Sequence, residues 1–171
     1  MLTVIIGCMF SGKSTELMRR VNCHKSIGEK VLVINHASDN RYTDQSVIIS
    51  HNGQSMASIK TDQLKHTLYV NYDVIAIDEA QFFPDLIQGV LTYLADGKKI
   101  IVAGLVGDFR CNPIGDILKL LPHADETVRL YAFCSNCKDG TRAAFTKRTS
   151  ESKEQVVIGS KMYMAVCRKC L

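Results

Sequence analysis

One short segment near the amino terminus constrains this chain more than any other. Gly7-Cys8-Met9-Phe10-Ser11-Gly12-Lys13-Ser14 fits the pattern G-x-x-x-x-G-K-[ST]. Its surroundings make it informative: the apolar run Leu2 to Ile6 precedes it, and a helical pattern from Ser14 to Lys25, with Leu17, Met18 and Val21 on one face, comes after it. Strand, glycine loop and helix in that order turn backbone amides inward around phosphate oxygens, and the helix start adds the positive end of its dipole. Residues Gly7 to Thr15 are therefore expected to hold nucleotide phosphates. Lys13 would reach the β- and γ-phosphates and Ser14 would ligate Mg²⁺. A glycine-rich turn with an incidental lysine is the plainer alternative.

The rest of the chain reads as a frame for that loop. Val31 to Ile34, Val74 to Ile77 and Ile100 to Ala103 are short apolar runs without alternation, as in parallel strands covered on both faces. A second helical pattern, Pro84 to Ala95, has Pro near its start and Gly97 after its end. This predicts an α/β fold with a parallel sheet flanked by helices. His36 to Ile59 is irregular and reads as an excursion holding a hairpin of Val47 to Ser50 and Met56 to Ile59. Past Leu130 cysteines, Lys and Thr replace the β-α rhythm. We expect an α/β nucleotide-binding domain over 1–130 and a small cysteine-rich module over 131–171.

Two further clusters carry chemistry. Asp78-Glu79 ends the third apolar run, at the carboxyl edge where open α/β sheets bind ligands. Asp78 would hold Mg²⁺, often through water, and Glu79 is free to act as a base; an acidic pair favoured by a helix dipole is the alternative. Cys134-Ser135-Asn136-Cys137 and Cys167-Arg168-Lys169-Cys170 are two C-x-x-C pairs. They fit a tetrahedral Cys₄ zinc site with no open position, so a structural metal; redox motifs or free thiols are the alternatives. Cys8, Cys23 and Cys111 are expected to be buried or free thiols. Lys147-Arg148 reads as a solvated face, and none of the five histidines has ligand spacing.

Several of these segments, with others, also spell out a family. Cys8 to Arg20, Asp39-Asn40-Arg41-Tyr42 and Asp78-Glu79-Ala80-Gln81-Phe82-Phe83-Pro84-Asp85 resemble the thymidine kinases of the cellular cytosolic and poxvirus type. Phe145-Thr146-Lys147-Arg148, Val157-Ile158-Gly159 and Tyr163 ahead of the last cysteine pair continue the resemblance. It implies an ATP:thymidine 5′-phosphotransferase with Mg²⁺ and a zinc-ribbon-like module at the carboxyl end. Glu79 would take the proton of the nucleoside 5′-hydroxyl. Asp39 and Arg41 would lie near Mg²⁺ and the phosphates. Met18, Phe82, Leu105, Phe109 and Thr146 would line the thymine pocket, and Val157, Ile158, Gly159 and Tyr163 would form a lasso over the nucleoside. The resemblance also implies dTTP as feedback inhibitor and a homotetramer. Cys8, Ala80, Val106 and Asp108 depart from the usual family residues, without touching those that do the chemistry.

Composition narrows the partners. The net charge of +4 falls to +2 if four cysteines hold one zinc as thiolates (4 − 4 + 2), too little to argue a nucleic-acid partner. No apolar run approaches the ~20 residues of a bilayer crossing, and the first residues lack a signal-peptide pattern, so a cytoplasmic protein without a membrane partner is expected. The rivals are a deoxynucleoside kinase of wider range and a P-loop ATPase whose zinc ribbon binds nucleic acid. Nothing in sequence ties the glycine loop to the cysteines, so zinc loss is expected to weaken thymidine binding before ATP binding.

Overall fold

The computed structural model describes residues 1–38, 47–49, 53–150, 154–155 and 162–171. Its centre is a six-stranded parallel sheet of β1 (Leu2–Gly7), β2 (Val31–His36), β5 (Ile59–Thr61), β6 (Val74–Ile77), β7 (Lys99–Gly104) and β8 (Glu126–Leu130). The strand order is β5-β2-β6-β7-β1-β8. Every residue of β1 and β6 is buried, which explains why these strands read as unbroken apolar runs.

The two faces of the sheet carry separate cores. Helix α1 (Lys13–Ser26) lays Leu17, Met18 and Val21 against Ile5, Val33, Ala76 and Ala103. Helix α2 (Leu86–Ala95) lays Leu86, Val90 and Tyr93 against Leu2, Val4, Ile75 and Val102. Successive β1 residues divide between the two clusters, as the alternation of a strand requires. Each large apolar side chain so buried contributes roughly 1.5–3 kcal/mol.

Two elements differ from the sequence expectation. Of the expected hairpin, β3 (Val47–Ile49) pairs antiparallel with β4 (Ser55–Ala57), but Ile59 leaves it and joins the main sheet through β5, parallel to β2. β8 is unexpected, because Glu126-Thr127-Val128-Arg129-Leu130 is half polar; among the described residues it is an edge strand paired only with β1. After Leu130 the chain forms two small antiparallel pairs: β9 (Ala132–Phe133) with β10 (Arg142–Ala143), and β11 (Phe145–Arg148) with β12 (Tyr163–Val166). Among the described residues no helix is long and apolar enough to cross a membrane.

Candidate active site and cysteine centre

The carboxyl ends of β1, β7 and β6 lie side by side in the sheet, so the segments leaving these strands meet at one edge. After β1 comes the glycine loop. Gly12 has φ of 83°, a left-handed conformation that opens to glycine freely, and it directly precedes α1. Among the described residues no side chain caps this helix start, and its first-turn amides face the loop. Lys13 is 8% exposed and its Nζ donates to the Cys8 carbonyl at 2.8 Å. The Ser11 hydroxyl donates to the same carbonyl at 2.8 Å. The ammonium is thereby held across the loop, on the Cys8 carbonyl.

After β6 come the two carboxylates, Asp78 at 1% and Glu79 at 6% exposure. Glu79 has φ of 50°, a left-handed conformation uncommon for a non-glycine residue and a small store of strain. It caps a one-turn helix, Ala80–Phe82, whose Gln81 donates Nε2–H to Glu79 Oε2 at 2.6 Å. Gln81 Oε1 in turn accepts the N–H of Leu105, just past β7, at 2.9 Å. The next two residues divide. Phe83 joins the core at 2% exposure; Phe82 is half-buried with its ring 5.7 Å from that of His36.

The cysteine-rich segment reaches the same edge. Thr146 Oγ1 accepts the backbone N–H of Met9 at 2.9 Å, across the glycine loop. Arg148, two residues further along β11, has its guanidinium 3.8 Å from the Phe109 ring centroid. It donates to the Tyr163 hydroxyl at 2.5 Å, to the Gln155 carbonyl at 3.1 Å and to the Glu154 carbonyl. Gln155 also donates to Asp108 Oδ2 at 3.1 Å. The expectation of a solvated Lys147-Arg148 face is therefore corrected: Arg148 is 8% exposed, because its charge is met by carbonyls, a hydroxyl and two aromatic faces. Arg148, Gln81 and His36 were not foreseen as parts of the site. Alternation along Phe145 to Arg148 puts Thr146 and Arg148 on one face of β11, which was the available signal for the arginine.

Other expected residues fall variously. Leu105, Phe109 and Tyr163 are half-buried beside these groups. Met18, 4% exposed, lies in the α1 core with Leu17, Val21 and Ile48, whereas Met9 is the methionine bonded to Thr146. Asp39, Arg41, Val157, Ile158 and Gly159 lie outside the described residues.

Cys134, Cys137, Cys167 and Cys170 converge, with all four Sγ atoms within 4.8 Å of one another. Cys137 Sγ is 3.8 Å from Cys167 Sγ and 3.6 Å from Cys170 Sγ. A tetrahedron with Zn–S bonds of about 2.3 Å has edges of about 3.8 Å, so the donor set fits zinc in size as well as in chemistry. The backbone N–H of Cys167 donates to Cys134 Sγ at 3.3 Å. Backbone donors from Cys137 and Cys167 pull the Cys134 thiol down to about 6, toward the thiolate a metal needs. These sulfurs share an apolar cluster with Cys8 and Phe10 of the glycine loop. Cys8 Sγ donates to the Ala143 carbonyl at 3.4 Å, and burial pushes its thiol pKa up. Cys23 and Cys111 are exposed.

Known proteins share this layout at the level of sequence. The sequence profile of the thymidine kinase family matches residues 1–171. A thymidine kinase of Choristoneura fumiferana entomopoxvirus is 39% identical over 177 aligned positions, covering 99% of this chain and 95% of the viral one. Human cytosolic thymidine kinase is 42% identical, over 99% of this chain and 72% of its own length. The enzyme of vaccinia virus strain Ankara is 38% identical, over 99% and 95%.

Proposed function

The chain belongs to the thymidine kinase family, and from that premise we propose that it transfers the γ-phosphate of ATP to the 5′-hydroxyl of thymidine, giving dTMP and ADP. One observation carries the reading. The glycine loop and the Glu79 carboxylate leave parallel strands at the same sheet edge; Thr146 bonds the loop at Met9, and Gln81 bonds Glu79 to Leu105 at the end of β7.

The amides of residues 7–15 cradle the ATP phosphates, and Lys13 balances charge on the γ-phosphoryl group as it transfers. Ser14 and Asp78 would hold Mg²⁺, which would supply positive charge to balance that of the phosphates, and the family resemblance assigns Asp39 and Arg41 to the same task. Glu79 takes the 5′-hydroxyl proton as that oxygen bonds to the γ-phosphorus, and the bond to the β–γ bridging oxygen breaks to release ADP. Phe82, Leu105, Phe109 and Thr146 hold the thymine, while Met18 shapes the α1 side. Residues 157–159 and Tyr163 close over the nucleoside. Cys134, Cys137, Cys167 and Cys170 would hold a structural zinc that would organise the 131–171 module without entering the reaction, and the 1–130 domain carries the nucleotide. We propose further that the enzyme is a cytoplasmic homotetramer inhibited by dTTP. Family membership disfavours a nucleic-acid-binding ATPase.

The test is steady-state turnover with ATP and each nucleoside in turn. Thymidine should be preferred, and Glu79→Gln should lower kcat about 10²–10⁴-fold with little change in thymidine binding. Turnover equal to wild type in that variant would remove Glu79 from the chemistry.

A further inference from the structure

Glu79 faces a difficulty that its own residue cannot solve. It is buried, its backbone is left-handed at φ 50°, and a carboxylate on a flexible side chain has several ways to point. A general base works only when one oxygen sits within hydrogen-bond reach of the hydroxyl it deprotonates. Something nearby must choose the rotamer.

We propose that Gln81 is the positioning residue for Glu79, and that it ties the base to the floor of the nucleoside pocket at Leu105. The inference rests on the reading of Glu79 as the base. Gln81 is 4% exposed, and both ends of its amide are engaged: Nε2 with Glu79 Oε2 at 2.6 Å and Oε1 with the Leu105 N–H at 2.9 Å. The orientation of this amide is fixed by its partners. A backbone N–H only donates and a carboxylate only accepts, so the reverse placement would break both bonds at once.

The surroundings are shaped for this amide. Gly104 ends β7 beside it, and a Cβ at that position would stand 2.5 Å from Gln81 Oε1 and 2.9 Å from Ile117 Cδ1. Glycine there leaves the room that the carboxamide occupies. The chain Glu79–Gln81–Leu105 thus joins the ends of β6 and β7 through side-chain atoms, across the edge where substrate must bind. Movement of the pocket floor is passed to the base, and misplacement of a reacting group by about 1 Å can cost on the order of 10²-fold in rate.

The experiment compares Gln81→Met, Gly104→Ala and the double variant Gln81→Ala/Gly104→Ala with wild type and Glu79→Gln, in the zinc-loaded enzyme. Melting temperature and zinc content are followed in parallel. Gln81→Met keeps the volume and loses both hydrogen bonds. Its kcat should fall about ten- to hundredfold while KM for ATP and for thymidine changes less than about threefold. Gly104→Ala should reproduce that loss by displacing the carboxamide. The double variant, with no carboxamide to displace, should be no slower than the slower single variant, so the two effects fail to add. Unchanged kcat in Gln81→Met, beside an inactive Glu79→Gln, overturns the positioning role and leaves the base in place. A fall in melting temperature with kcat preserved also overturns it, since Gln81 is then only a packing residue. Full turnover in Glu79→Gln overturns the base itself.

Discussion

The glycine-loop half and the cysteine half of this molecule are held together by different means. The first hangs from six parallel strands, with two helices covering separate apolar cores. The second has two-stranded pairs of two to four residues per strand and one small cluster made largely of alanines and cysteines. Phe133 is 71% exposed and Tyr131 43%. Isolated two-stranded ribbons are marginal in water, so the second half needs a crosslink where the first needs none. Their boundary is also less clean than composition suggests. Cys8 and Phe10 pack in the cysteine cluster, Cys8 bonds Ala143, and Met9 bonds Thr146. The glycine loop is shared by both halves.

The largest contrast comes from removing chemistry without structure. Lys13→Ala should lower kcat by about 10²–10³-fold, because in the proposed reaction it removes the charge that balances the transferred phosphoryl group, and should leave the melting temperature within a few degrees of wild type. A collapse of the fold in this variant would mean that the lysine bond to the Cys8 carbonyl holds the loop, not only the ligand.

Stripping zinc with a chelator, or Cys170→Ser, is next and divides two views of the boundary. Sequence alone expects thymidine affinity to fall first. Contacts from Cys8, Phe10 and Met9 into the cysteine half instead predict loss of both ligands, with thymidine weakened about tenfold or more and an ATP analogue severalfold, since site formation and folding are one equilibrium. Separate titrations of each ligand, with oligomeric state checked, decide it. An unchanged ATP-analogue affinity would restore the sequence view of independent halves.

A finer probe is Thr146→Val, which keeps the shape and deletes the acceptor for the Met9 N–H. Such a bond contributes about 0.5–1.5 kcal/mol net, and more where the donor left behind is buried. Affinities for nucleotide and nucleoside should drop together, by up to about tenfold each. A loss confined to thymidine would show that the bond does not couple the halves.

The smallest expected effect belongs to the first half alone. Arg19 and Arg20 hold the Glu16 carboxyl at about 2, below its ordinary value, and Arg20 also pairs with Glu126 of the edge strand β8 at 2.6 Å. A depressed carboxyl stabilises the fold above its unfolded pKa and loses that contribution as pH falls. Melting temperature should therefore decline between about pH 4.5 and pH 2 in part through Glu16, and Glu16→Gln should flatten that part of the curve. The pairs are partly exposed, so the effect at neutral pH is at most about 1 kcal/mol.

What the sequence determined by itself was whatever is written in neighbouring residues. Loop, helix and strand are contiguous in Leu2 to Lys25, so motif and amphipathic spacing are legible there, and the two C-x-x-C pairs declare their chemistry by type. The apolar runs of β1, β2, β6 and β7 are legible for the same reason: strands buried on both faces must be apolar throughout. Only the tertiary structure decided the contacts between residues far apart in the chain. The half-polar run at 126–130 became a sheet strand because β1 offered an open edge. Arg148 became buried because Phe109, Tyr163 and the carbonyls of residues 154 and 155 converge on it. Gln81 reached the Leu105 N–H because β6 and β7 end side by side, while its other partner, Glu79, is a near neighbour in the chain. A polar side chain carries no mark in sequence of whether it will be solvated or satisfied inside. That depends on which donors and acceptors the fold brings within about 3 Å, some from nearby in the chain and some, like Leu105 for Gln81, from 24 residues away.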